Sequence, residues 1–118
     1  MIFFAVIIKE SKEEEARRNT PTVWVETYND SETIHIEVLR YPAYLFGSSK
    51  IEFLVNSTLV HQTEIANDGK TLHESNFSFY WSDDNKLDVV LKGEEQKDEY
   101  IEFRFENEQV WVNGLQVE

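Results

Sequence analysis

Phe77-Ser78-Phe79-Tyr80-Trp81-Ser82-Asp83-Asp84-Asn85-Lys86-Leu87-Asp88-Val89-Val90-Leu91 decides the fold class. Phe77, Phe79 and Trp81 alternate with Ser78, Tyr80 and Ser82. Leu87, Val89 and Leu91 resume the same spacing beyond the Asp83-Asp84-Asn85 turn cluster. A period of two gathers apolar side chains on one side of a pleated strand, whereas a helix needs a period near 3.6. Two such runs around a turn predict an antiparallel hairpin.

The pattern continues on both sides. Toward the C-terminus, Gly93–Glu99 reads as a charged loop. Ile101, Phe103 and Phe105 then alternate with Glu102, Arg104 and Glu106. After Asn107-Glu108-Gln109, Val110–Val112 and Leu115–Val117 make a last strand, broken at Asn113-Gly114 by a bulge or turn. Toward the N-terminus, Asn67-Asp68-Gly69 is a turn signal, Leu59–Ile65 a strand, and Ile51, Phe53 and Val55 an inward set. Ile34, Ile36 and Val38 alternate with His35, Glu37 and Leu39. Asn29-Asp30-Ser31 joins them to Val23–Tyr28 as a first hairpin. The expected fold is all-β, an antiparallel β-sandwich or partly open barrel of about eight strands spanning 22–118. No helical pattern separates the strands, which argues against a parallel α/β sheet, and no internal repeat is convincing.

Residues 1–21 differ. Ile2–Ile8 is an apolar run of seven residues, and Glu13–Arg17 and Glu14–Arg18 are favourable i,i+4 pairs that support a short helix from about Glu10 to Arg18. Pro21 ends it by Asn19 or Thr20. The run is too short for a spanning helix, which needs about 20 residues, and it lacks the basic start and cleavage site of a secretory signal. Two readings remain: the end of a membrane anchor leading into a charged helix, or an N-terminal element packed on the domain. The first tilts the location toward the cell envelope.

With 118 residues, one domain is expected, and 14% aromatic content supplies large buried area per residue. Twenty-three acidic residues face eleven basic ones. Residues 1–21 are neutral, with four of each sign, so the formal charge of −12 resides in 22–118. That field repels polyanions, so nucleic acid is excluded as a partner. It serves solubility, or it attracts a basic protein or a cation. The absence of cysteine removes disulfides, thiolate metal sites and thiol catalysis.

No reaction is legible. His35, His61 and His73 lack zinc-ligand spacing and read as solvated surface residues. Asp83, Asp84 and Asp88, and Glu94, Glu95, Asp98 and Glu99, lack the calcium-loop pattern and read as solvated loop charge, a loop cation at Asp83–Asp88 being the alternative. Paired carboxylates arise by chance among so many acids. Gly47-Ser48-Ser49 is not a nucleophile elbow. No catalytic, cofactor-binding or metal residue is therefore assigned, and the chain is not expected to be an enzyme. The candidate partner-contact patch is Tyr41, Tyr44, Leu45 and Phe46, in an irregular aromatic stretch around Pro42. Buried, the reading their size favours, these residues would cap one end of the core; exposed, they would form an interface. Trp24, Tyr28, Tyr80 and Trp111, on the polar side of their strands, pose the same question.

Glu37–Lys50 followed by Asn67-Asp68-Gly69-Lys70 resembles small uncharacterised proteins of Gram-positive bacteria. Those have an N-terminal membrane anchor and an extracytoplasmic β-domain. The resemblance covers about half the chain and implies a surface location with no activity. This chain departs from the pattern in lacking a full anchor. Two functions are expected from these observations. One is a non-catalytic binding or envelope-associated β-domain, tethered through its N-terminal helix. The other is a small acidic inhibitor, of the immunity-protein kind, that binds a basic protein.

Overall fold

The structure, a computed structural model, describes residues 20–43, 47–67 and 71–117. These residues are all-β. The strands are β1 (Thr22–Tyr28), β2 (His35–Arg40), β3 (Ser49–Val55), β4 (Thr58–Ile65), β5 (Phe77–Asp83), β6 (Lys86–Leu91), β7 (Glu99–Glu106), β8 (Gln109–Val112) and β9 (Leu115–Gln116). They form two antiparallel sheets in chain order, β1-β2-β3-β4 and β5-β6-β7-β8-β9. The strand beyond the expected eight arises at Asn113-Gly114, which closes a hairpin and folds Leu115 and Gln116 back on Val112 and Trp111. Among the described residues no ladder joins the sheets. They meet through side chains in a sandwich-like arrangement. The expected helix over 10–18, the anchor-like run and the Asp68-Gly69 turn lie outside the described residues. Among the described residues no helix is long and apolar enough to cross a membrane.

The alternation builds one shared core. Ile36, Val38, Ile51, Phe53 and Ile65 of the first sheet are buried with Leu87, Val89, Leu91, Ile101 and Phe103 of the second. Phe53 and Phe103 touch across the layers with ring centroids 5.1 Å apart. Burying one such side chain contributes about 1.5–3 kcal/mol. An exposed ion pair contributes about 0–1 kcal/mol, so the apolar contacts carry the stability.

Two aromatics depart from the simple alternation. A bulge between Val23 and Val25 turns Trp24 onto the core, edge-on to Phe77 at 5.2 Å. Phe79 shares parity with Phe77 and Trp81 but is 44% exposed, on a strand, β5, that lies at the edge of its sheet.

Polar struts clamp the sheets at their borders. Trp81 Nε1 donates to Thr27 Oγ1 at 3.0 Å, and Thr63 Oγ1 donates to Glu99 Oε1 at 2.7 Å. Asn29 is buried in the first hairpin loop. Its amide donates 3.0 Å to the Asp84 carbonyl in the other sheet, and its Oδ1 receives the Ile34 N–H at 3.0 Å. Opposite, the link from β4 to β5 is held by Asn76, whose amide donates 2.7 Å to the Lys92 carbonyl. Asn67 Oδ1 receives the Glu94 N–H at 3.1 Å. A buried polar group left unpaired costs about 1–3 kcal/mol, so each of these amides is committed to its partner.

The turns follow from the twist of the strands. Asn56-Ser57, Asn107-Glu108 and Asn113-Gly114 each place both residues at positive φ in a two-residue loop. That geometry matches strand twist and favours Asn followed by Gly. Asn56 also returns its backbone N–H to the His35 carbonyl at 2.8 Å and receives the His35 N–H on Oδ1 at 2.9 Å. Asn113 does the same with Glu102, at 2.8 Å for both bonds.

The chain therefore repeats one meander. β3 and β7 are each the third strand of their sheet, and each carries Ile-Glu-Phe, at 51–53 and 101–103. Too little else matches for the sequence to reveal a repeat.

Candidate interaction face

The outward side of the β1–β4 sheet is acidic. Register places Tyr28 opposite His35, Glu26 opposite Glu37, Glu52 opposite Gln62, and Lys50 opposite Glu64. Two like charges directly across a ladder repel. The His35 ring stands between them, with Nε2 2.6 Å from Glu26 Oε1 and Nδ1 3.8 Å from Glu37 Oε1. Tyr28 stacks on the same ring at 4.4 Å and 12°, yet stays 50% exposed. The Asn56 turn holds the His35 backbone through both its N–H and its carbonyl. Partial desolvation, then the Glu26 carboxylate, push the Tyr28 phenol above its usual value. Nε2 is the ring nitrogen within hydrogen-bond distance of a carboxylate, Glu26, so that side of the imidazole is already engaged.

Of the sequence-derived patch, Tyr41 is described, and Tyr44, Leu45 and Phe46 lie outside the described residues. Tyr41 is half-buried at the end of β2. Its hydroxyl donates to Glu52 Oε1, its ring lies 4.7 Å under Lys50 Nζ, and Gln62 Nε2 donates 2.7 Å to Glu52 Oε2. Donation to a carboxylate raises the Tyr41 phenol above its usual range. This cluster explains how Glu52 can be a buried acid: three polar neighbours surround it. Beside it lies a cleft of about 300 Å³ between Arg40, Pro42 and Leu72. Another, of about 550 Å³, opens at the far end between Ile34, Asn56, Phe105 and Gln109.

Two of the three histidines are not the solvated surface groups that the spacing suggested. His35 is paired as above. His61 points inward between Phe53 and Phe103, at 5.9 and 6.3 Å, and its Nε2 is buried without a hydrogen-bond partner. Burial pushes its pKa down, and the Glu99 carboxylate opposes this more weakly. His73 is exposed in the link before β5. His35 and His61 occupy opposite sides of their sheet, so they do not converge. Among the described residues no group of three His, Cys, Asp or Glu is arranged to hold a metal ion. Asp83 and Asp84 serve the turns, receiving the Asn85 N–H at 2.7 Å and the Ser31 N–H at 3.1 Å. These positions gave no sequence signal beyond their residue types.

The solvent-facing aromatics divide. Trp24 turns inward, Tyr28 and Tyr80 stay exposed, and Trp111 is half-buried. Tyr100, which the alternation did not single out, is 70% exposed. No family model, no curated protein and no solved structure matches this chain.

Proposed function

We propose that this protein is a non-catalytic binding domain, a β-sandwich that captures a basic protein through the outer face of its first sheet. The observation that carries the reading is the Glu26–Glu37 pair. Two opposed carboxylates, with Glu52 and Glu64 on the same side, face Lys50 as the one lysine or arginine that register places with them among the described residues. In a chain of formal charge −12, that face would speed the approach of a cationic partner and set its orientation. Tyr28 supplies an exposed ring of the kind that anchors interfaces.

The test is a low-salt pull-down with the full chain and with Glu26→Lys/Glu37→Lys. A basic protein held by the wild type, and lost from the charge-reversed variant or near 0.5 M salt, supports the reading. No basic protein at low salt, or one held equally by the variant, removes it. Tethering to the cell envelope rests on Ile2–Ile8 and on the resemblance carried by Glu37–Lys50 and Asn67–Lys70. Vesicle flotation of the full chain against one starting at Thr20 tests that separately.

A further inference from the structure

The hairpins β1–β2, β3–β4, β5–β6 and β7–β8 all turn at one end of the sandwich. Asn29 and Ser31 of the first reach Asp84 of the third, and the Asn85 carbonyl receives the Phe105 N–H at 2.9 Å. The cleft of about 550 Å³ opens between these turns, within the size range of ligand sites. Its floor is apolar, made by Ile34, Val55, Phe105 and Val110, all packed on the core. Asn56 and Asn107-Glu108, from two-residue turns, form its lips. Such tight turns hold one backbone shape, so the cleft is formed in advance and a guest loses little in ordering it. The turn residues 29–34, 56–57, 84–85 and 107–108 carry Asp30, Glu32, Asp84 and Glu108, and no lysine or arginine. Asp83 and Glu106 end the adjoining strands. Bases close to this end are engaged elsewhere. His35 Nε2 meets Glu26, Arg104 Nε donates 2.6 Å to Glu102 Oε1, and Lys86 Nζ lies 3.7 Å from Glu102 Oε2 and 3.9 Å from Asp88 Oδ2. Arg104 feels Glu106 and Asp83 less than it feels Glu102. Counting Lys86 and Arg104 with their partners Asp88 and Glu102 leaves the excess of acid at this end unchanged.

We infer that this end cleft seats an apolar side chain of the basic partner, flanked there by lysine or arginine. The inference rests on the reading that the partner is a basic protein, and adds a second contact to it. An apolar centre inside a charged rim is the order that protein interfaces follow. Taking one apolar side chain out of water on the Phe105 floor contributes about 1.5–3 kcal/mol. Neighbouring lysines or arginines lay their stems along apolar surface and carry their charged heads to Glu106 and Glu108 at the rim. Other occupants fit less well. An anion is repelled, a neutral apolar guest gains nothing from the carboxylates, and a second copy of this chain brings its own charge of −12. The cleft also continues into the acidic face. Ile34 on its floor precedes His35, and Asn56 on its lip receives the His35 N–H on Oδ1 at 2.9 Å. One extended segment can therefore lie along the Glu26–His35–Glu37 cluster and place a side chain in the cleft.

The experiment titrates the isotopically labelled full chain by heteronuclear NMR with the capped peptides Lys-Lys-Leu-Lys-Lys and Lys-Lys-Phe-Lys-Lys. Lys-Lys-Ser-Lys-Lys and Ser-Ser-Leu-Ser-Ser are the controls. Expected is a Kd below about 1 mM for at least one of the first two, with shifts at the Ile34, Val55 and Val110 methyls and the Phe105 ring. Each control should bind about fivefold more weakly or worse, as should the apolar peptides in about 0.5 M salt. Glu106→Gln/Glu108→Gln, at two exposed positions, should weaken binding about fivefold without moving the thermal midpoint. No shift at the cleft with either apolar peptide at about 5 mM overturns the inference. So does a neutral peptide that binds as well as the cationic ones, or a serine peptide that matches the leucine one. Cleft signals that move with protein concentration alone would assign the site to a second copy, and overturn it too. The pull-down separates the two readings. A basic protein lost from Glu26→Lys/Glu37→Lys yet held in full by Glu106→Gln/Glu108→Gln removes the cleft and leaves the acidic face standing. Peptide binding at the cleft with no basic protein captured by the wild type removes the acidic-face reading instead.

Discussion

Gly93→Ala tests how the loop between β6 and β7 is held. A Cβ built on Gly93 would land inside contact distance of the Ala66 carbonyl oxygen and 2.9 Å from Ile65 Cγ2. Neither neighbour can yield freely, since the same carbonyl receives the Glu95 N–H at 3.0 Å. The Ala66 N–H donates to Gln96 Oε1 at 2.6 Å, and Glu94 N–H to Asn67 Oδ1 at 3.1 Å. Making room means losing two or three of these bonds, at about 1 kcal/mol each. Alanine would otherwise stabilise by about 0.4–1 kcal/mol through the unfolded chain. The net is a loss of about 1–3 kcal/mol. At about 4–8 °C per kcal/mol for a domain of this size, the midpoint should fall by roughly 5–20 °C in a thermal melt followed by near-ultraviolet circular dichroism. Gly114 is the contrast. It sits at φ +83° with open space around it, so backbone conformation rather than room constrains it. Gly114→Asn should be nearly silent and Gly93→Asn as damaging as Gly93→Ala. A Gly93→Ala melt at or above the wild-type midpoint would refute the packing of this loop against the end of β4.

His61 has a folded pKa below its unfolded value near 6.5. The stability of its neutral ring is therefore complete above about pH 6.5 and lost as pH falls through the folded value. Urea midpoints should drop more steeply between about pH 7.5 and about pH 5 for wild type than for His61→Leu, and parallel curves would contradict the buried ring. Glu108 occupies the second turn position at φ 64°. Glu108→Gly relieves a left-handed cost of about 1–2 kcal/mol and adds about 0.5–1 kcal/mol of chain entropy, so chemical denaturation should show a gain of about 0.5–1 kcal/mol. The charge of −12 should make the melting temperature rise from about 0.01 M to about 0.15 M NaCl. A flat curve there would mean the carboxylates are paired or hold an ion.

Alternation alone placed Ile36, Val38, Ile51, Phe53, Leu87, Val89, Leu91, Ile101 and Phe103 inside, and it located the 23–39 and 77–91 hairpins. Those properties are local, because a pleated strand sends every second side chain the same way whatever lies beyond it. Trp24 broke the rule through a bulge that no residue type announces. Asn29 and Asn67 read as turn residues and Asn76 carried no signal, yet all three proved to be buried struts, since their partners lie 9–55 positions away along the chain. The acidic outer face and the end cleft were likewise invisible. Each gathers residues from three or more strands, and strand order and register, not residue type, decide which side chains meet. Composition thus determined that the domain is acidic, and alternation that it is β-rich. Tertiary pairing alone decided that Glu26 stands opposite Glu37 on one sheet while Glu102 meets Arg104 and Lys86 on the other, because electrostatic neighbours across a ladder are set by register between strands.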